Sequence, residues 1–281
     1  MRSPDELIAA AHRNFIASYR AVARNSDDGD VRESDGVFAF VSGQPLALFN
    51  GCIVTGPATP ADIDDALGWV RRHYVPFRLW IAPASGEAYS EVLADHGLVA
   101  DPGPLPAMVL HPLPPTAPVP AGVTVAPVDP SDSAGVDEHL DTWAAGGLPR
   151  EIVAGIVSPA MVADPDVRLF TGRLDGRPVA TSIAIRSGDV SGVYGVGTHE
   201  NARRRGVGTA VTWAAVEAGR AWGCDTIVLQ ATDMGLPVYE RMGFRTVVAY
   251  TTYAQRRLRT DDSPATAASP PPSGAGSPGR A

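Results

Sequence analysis

Residues 191–223 read SGVYGVGTHENARRRGVGTAVTWAAVEAGRAWG, and the rest of the chain is interpreted outward from them. An apolar strand over 193–198 runs into an arginine- and glycine-containing turn, 203–208. That turn opens a helix with apolar residues at Val207, Val211, Ala214, Ala218 and Ala221. The spacing is one face of an α-helix, and Gly223 is a natural C-terminal stop. A strand feeding a glycine turn at a helix start leaves several backbone N–H groups unpaired and pointing the same way, with the positive end of the helix dipole behind them. Such a place binds phosphate. Glycine at 206 and 208 keeps Cβ atoms out of the path of a bulky pyrophosphate. Arg203, Arg204 and Arg205 add guanidinium forks that match phosphate oxygens.

Two common phosphate-binding motifs do not fit. A P-loop needs Gly-Lys-Ser/Thr, yet all 23 basic residues of the chain are arginine. A dinucleotide fingerprint starting at Gly206 needs Gly or Ala where Val211 stands. It also needs an acid at the end of the next strand, whereas Asp225 begins it.

The chain has 281 residues, room for two domains of ordinary size, with 44% hydrophobic and 19% charged residues. No apolar run reaches bilayer-spanning length. MRSPDELIAA carries acids where a signal peptide has a basic and then an apolar run, so the expected location is the cytoplasm, away from membranes. A formal charge of −8 argues against nucleic acid as a partner. Cys52 and Cys224 read as buried free thiols. The six histidines form no metal-ligand pattern, so no metal is expected; His139, among Asp137, Glu138 and Asp141, reads as part of a solvated helix face.

Taken in order, Ser3-Pro4 caps a helix with Ile8, Ala11, Phe15 and Val22 on one face. Residues 37–41 and 46–54 read as a hairpin across Ser42-Gly43, and Thr59-Pro60 starts a helix. A strand at 78–82, a helix at 86–96 and a strand near 108–111 complete a mixed α/β half. Five prolines between 112 and 120 mark a semi-stiff linker. Beyond it come a strand at 123–126, helices at 134–145 and 150–162, and a hairpin across Asp175-Gly176. A strand at 226–230 and a short helix lead to Gly243-Phe244. From Asp261 onward Pro, Ser, Ala and Gly dominate, and disorder is expected.

These residues resemble a known family. Arg203-x-x-Gly206-x-Gly208, preceded by Val196-Gly197-Thr198 at a strand end, is similar to the acyl-CoA pyrophosphate motif of the GNAT acetyltransferase superfamily. Tyr239, four residues before Gly243-Phe244, resembles its second signature. The resemblance covers about 121–258 and implies an α+β fold, a GNAT-like mixed, mainly antiparallel sheet flanked by helices. The domains read as 1–111, a smaller α/β unit; 112–120, the linker; 121–258, the GNAT domain; and 259–281, the tail. Laying Gly97-Leu98 on Gly243-Phe244 brings RLWIAP near TIVLQAT, so the first unit reads as a degenerate GNAT-like duplicate without a CoA site.

The resemblance further implies acyl transfer from acetyl-CoA or another short acyl-CoA to an amine, on a small molecule or a protein. It leaves a homodimer open. The backbones of Val196, Gly197 and Thr198 would run beside the pantetheine arm, and Arg204, Arg205, Gly206, Val207, Gly208 and Thr209 would wrap the pyrophosphate, with Arg203 beside them. Thr232 falls where many members have an asparagine, and Tyr239 would be the general acid for the departing thiolate. No carboxylate lies on 193–198. Deprotonating a lysine-like amine near pH 7 costs roughly 4 to 5 kcal/mol, an α-amino group about 1. A non-catalytic acyl-CoA sensor is the alternative from a different functional class.

Overall fold

The computed structural model describes residues 2–82 and 86–255. The tail read as disordered lies outside them. The first half comprises α1 (Pro4–Arg24), β1 (Asp30–Ser34), β2 (Val37–Val41), β3 (Gly51–Val54), α2 (Pro60–Arg71), β4 (Arg78–Ile81), α3 (Ser90–Asp95), β5 (Leu98–Ala100) and β6 (Leu105–Leu110). The second comprises β7 (Val123–Pro127), α4 (Ser133–Ala144), α5 (Arg150–Ile156), α6 (Pro159–Ala163), β8 (Val167–Leu174), β9 (Arg177–Ser187), β10 (Val190–Thr198), α7 (Val207–Ala221), β11 (Thr226–Gln230), α8 (Leu236–Arg241) and β12 (Arg245–Gln255).

All twelve strands belong to one sheet, ordered β1-β2-β3-β4-β12-β6-β11-β10-β9-β8-β7, with β5 also on β12. The two halves repeat one pattern. In each, a strand, a crossover helix and a parallel strand (β3-α2-β4 and β10-α7-β11) lead to a short helix and a glycine with positive φ, Gly97 or Gly243. The last strands are exchanged between the halves. β6 lies between β11 and the first part of β12, and the second part of β12 lies between β4 and β5. Dividing the chain at 112–120 therefore does not divide the sheet: β6 precedes that segment and lies with the strands that follow it.

The reason lies in the side chains. Ala107, Met108, Val109 and Leu110 are almost completely buried, two facing each side of the sheet, and only a central strand covered on both faces accommodates such a run. α1 is likewise shared. A capping box of Ser3 with Glu6 starts it, and it then crosses the middle of the sheet. Its buried residues (Leu7, Ala10, Ala11, Asn14, Phe15, Ser18, Tyr19, Val22 and others) spread well beyond the single face expected, and Ile8 is only half-buried.

Other expectations change for local reasons. The first hairpin is β1–β2 across Asp35-Gly36, where Gly36 has φ +78°. Residues 42–50 form a loop pinned by buried Asn50, whose Nδ2 donates to the carbonyls of Gln44, Leu46 and Pro76. Helix 150–162 breaks at Ser158-Pro159, since a residue before proline is steered out of the α region. The helix expected at 86–96 keeps only α3, behind a 3₁₀ turn at Gly86–Tyr89. β5 was not anticipated. Cys52 and Cys224 are buried free thiols. No helix among the described residues is long and apolar enough to cross a membrane.

His139 corrects a further expectation, for it is fully buried against Thr171. The neighbouring acids do face outward, with Asp137 and Asp141 paired to Arg150 and Glu138 to Arg173. His12 is also buried, and its Nδ1 shares a hydrogen bond with the Tyr250 hydroxyl at 2.6 Å. Burial pushes both imidazoles down to about 4. Unfolded histidine titrates near 6.5, so this stability is complete above about 6.5 and is lost as pH falls towards 4. The melting temperature should drop across that window. His12→Gln should be less stable at pH 7.5 but decline less steeply with acid; an unchanged slope would remove His12 from the account.

Candidate active site

The site forms where β10 and β11 part. They pair in parallel only from Val190 to Gly192, opposite Thr226 to Val228. Beyond Gly192, β10 stays on β9 through a bulge between Tyr194 and Gly197, with Gly195 at φ +57°, while β11 stays on β6. A bulge inserts an extra residue and bends its strand. The result is a V-shaped gap whose β10 side, Val193 to Thr198, has backbone edge groups with no partner strand among the described residues.

The amino end of α7 lies beside Thr198, at the far end of β10. Its N-cap, Gly206, has φ +80°, no side chain caps the helix, and the first intrahelical bond is Ala210 N–H to the Gly206 carbonyl. The preceding N–H groups are therefore left for a ligand. Arg204 also takes a left-handed backbone, φ 61°, and Arg203, Arg204 and Arg205 are exposed. Arg203 Nε reaches back to the Thr198 carbonyl at 3.4 Å, and Arg205 lies 4.0 Å from Asp175.

The structure supplies reasons for the two glycines that the sequence could not. A Cβ on Gly206 would stand 2.7 Å from Pro120 Cγ, at the end of the linker. One on Gly208 would stand 2.9 Å from Thr198 Oγ1. The linker runs along the outer side of α7, where Arg220 donates to the Pro114 carbonyl and Thr116 bonds Glu217.

The other expected residues fall as follows. The Val207 side chain is buried under the helix, so only its backbone faces outward, and Thr209 is half-buried on the first turn. Val196 and Tyr239 flank one apolar cluster on the α7 side of the sheet. Gly197 is half-buried, with room around its Cα. Thr232 is exposed; its Oγ1 accepts from Gly235 N–H at 3.3 Å, stabilising the turn into α8. The Tyr239 ring meets Phe244 edge-on at 5.9 Å and lies over Gly235, where a Cβ would come within 2.8 Å of Cε2. Desolvation pushes its phenol up to about 12.

His199 is placed away from the narrow end of the gap. Its Nε2 donates to the Thr142 carbonyl at 2.8 Å, and it lines an open cleft of about 520 Å³ with Asp137, Glu138 and Asp141. Four residues, 195–198, separate it from Tyr194 across the bulge. Among the described residues no group of three His, Cys, Asp or Glu is arranged to hold a metal. Sequence reading missed two residues at the apex of the gap, Asn14 and Tyr194. The available signal was an asparagine between the apolar positions Ala11 and Phe15 of the first helix.

The duplicated half provides an internal control. Its strands β3 and β4 pair along their whole length, from Gly51 opposite Arg78 to Val54 opposite Ile81, so no gap opens. At the amino end of α2, the Thr59 hydroxyl accepts from Asp62 N–H and the Asp62 carboxylate accepts from Thr59 N–H. There the capping box occupies the Thr59 and Asp62 amides, and an acid stands in the first turn.

Comparison with known proteins agrees with this architecture. Residues 136–236 match the acetyltransferase (GNAT) domain. The fold is similar to a GCN5-related N-acetyltransferase from Kribbella flavida (22% identity, TM-score 0.62, covering 87% of this chain and 95% of that one). It is also similar to a tandem GNAT protein from the clavulanic acid biosynthesis pathway (13%, 0.56, 89% and 94%). A third similar structure is a GCN5-related N-acetyltransferase from Sphaerobacter thermophilus (15%, 0.53, 90% and 93%). At such identities these structures speak for the fold alone. No protein with a curated description matches the sequence.

Proposed function

We propose, on the premise that residues 136–236 form a GNAT acetyltransferase domain within a tandem GNAT fold, that this protein transfers a short acyl group from acyl-CoA to an amine. One observation carries the reading: the uncapped amino end of α7 stands at the mouth of the β10–β11 gap, and the corresponding place in the first half is both capped and closed. Gly206, with φ +80°, turns the chain into α7 and leaves its first amides uncapped, and the exposed arginines beside it suit a pyrophosphate.

The free edge of β10 would hold the pantetheine arm by its amides, and an N–H of the bulge would stabilise negative charge developing on the thioester oxygen. The amine nitrogen then bonds the carbonyl carbon, the C–S bond breaks, and Tyr239 donates its hydroxyl proton to sulfur and is reprotonated from solvent. β10 and β11 contain no carboxylate, so the surplus proton of the amine leaves to solvent or to a group off these strands. An acceptor of low pKa, such as an α-amino group or a weakly basic amine, suits a site of this kind.

Gly208→Asp tests the cofactor assignment. A Cβ at 208 stands 2.9 Å from Thr198 Oγ1, so that hydroxyl must turn aside, while an acid in the first helical turn gains about 0.3 to 1 kcal/mol from the helix dipole; the fold should survive and the pyrophosphate be repelled. CoA affinity by calorimetry should fall by roughly 10²-fold, the equivalent of about 2.7 kcal/mol, with a nearly unchanged melting temperature. Wild-type affinity in the variant would sink the assignment.

A further inference from the structure

We infer that Asn14, on the first helix and in the half that has no cofactor turn, is a positioning residue that holds the apex of the β10–β11 gap; the inference rests on the acyl-CoA reading above. Asn14 is completely buried. A buried amide is costly unless its donors and acceptor are satisfied. Here they are satisfied by the one strand whose course makes the site and by its neighbour. Nδ2 donates to the Ile185 carbonyl at 3.0 Å and to the Val190 carbonyl at 3.5 Å. Oδ1 accepts from the Tyr194 hydroxyl at 2.7 Å. These contacts bracket Gly192, the last β10 residue opposite β11. The amide oxygen rests against its bare Cα, where a Cβ would lie 1.9 Å from Oδ1 and 2.7 Å from the Tyr194 hydroxyl.

Asn14 therefore grips β10 below the separation point through Val190 and at the first bulge residue through Tyr194. Beyond Gly192 β11 no longer guides β10, and the bulge is held from two sides: by β9, where Thr181 Oγ1 donates to the Gly195 carbonyl at 2.9 Å, and by the Asn14 anchor, whose loss should shift the bulge amides. An acyl group held by those amides would sense its loss, whereas a nucleotide held at the far end of the gap would not.

The test compares wild type with Asn14→Leu, which keeps the branched heavy-atom shape and removes the hydrogen bonds, and with Tyr194→Phe, which removes one hydroxyl. CoA and acetyl-CoA affinities are measured by calorimetry, and [1-¹³C]acetyl-CoA reports polarisation of the bound carbonyl by NMR. In both variants CoA affinity should stay within about threefold. The extra affinity for acetyl-CoA should fall about tenfold and the carbonyl resonance should return towards its free value, a misplaced contact being worth up to 10²-fold in such sites. A purely structural amide would lower the melting temperature and leave both readouts as in wild type; that result overturns the inference, as does a wild-type carbonyl resonance that binding leaves unmoved. If Asn14→Leu does not fold, Tyr194→Phe decides by the same two readouts. If wild type binds neither CoA nor acetyl-CoA, the acyl-CoA reading itself fails.

Discussion

Produced as two separate polypeptides, residues 1–117 and 118–281 should fold only in each other's presence. The first lacks the second part of β12, leaving β4 and β5 with open edges. The second lacks β6, leaving a missing strand between β11 and β12. Burial of Met108, Val109 and Leu110 alone contributes on the order of 5 kcal/mol, comparable to the whole net stability of an ordinary domain. The second fragment also loses α1 from the face of β9, β10 and β11. Each fragment alone should aggregate or show no cooperative melting, whereas the two expressed together should co-purify and melt in one transition. The cut falls in an exposed stretch of the linker, so cutting the chain there should cost little. A fragment 118–281 that melts cooperatively alone and binds CoA like the intact protein would show that the strand exchange is dispensable.

Tyr239→Phe should lower turnover by roughly 10²-fold to 10⁴-fold with little change in acyl-CoA affinity or melting temperature. The substitution keeps the ring, so its edge contact with Phe244 and its cover over Gly235 survive. Only the donor is removed. Because burial raises the phenol to about 12, Tyr239 keeps its proton well above the range of an ordinary tyrosine. The pH–rate profile should consequently show no loss of the acid between pH 9 and 11. The measurement is CoA release with an amine library as acceptor, at saturating acetyl-CoA. Turnover within a few-fold of wild type would mean that the proton on sulfur comes from elsewhere, and Tyr239 would be left as a packing residue.

The readable parts of the chain share a property: each is decided within one or two turns of chain. The amino end of α7 needs only a glycine with positive φ followed by an apolar 3.6-residue period, and both stand in residues 206–221. The capping boxes of α1 and α2 and the Asp175-Gly176 hairpin are equally local. The faint echo between the halves could be seen because Gly97 and Gly243 each end a short helix with a left-handed residue. Misreadings arose where a local pattern met a distant partner. His139 sits beside acids in sequence but faces Thr171 across the core, and residues 46–50 look strand-like but are drawn into a loop by the Asn50 amide.

The sequence by itself determined a glycine turn between a strand and a helix, an α+β protein with two halves, and a tyrosine placed by its distance from Gly243-Phe244. Those features follow from backbone conformations and periodicities that neighbouring residues impose on one another. Only the tertiary structure decided that β6 and β12 change places, that β10 leaves β11 at Gly192, and that the first helix fills the apex between them with Asn14. Strand partners are selected by burial and edge pairing between segments more than a hundred residues apart, and a central strand such as Leu105–Leu110 has the same apolar pattern whichever sheet receives it.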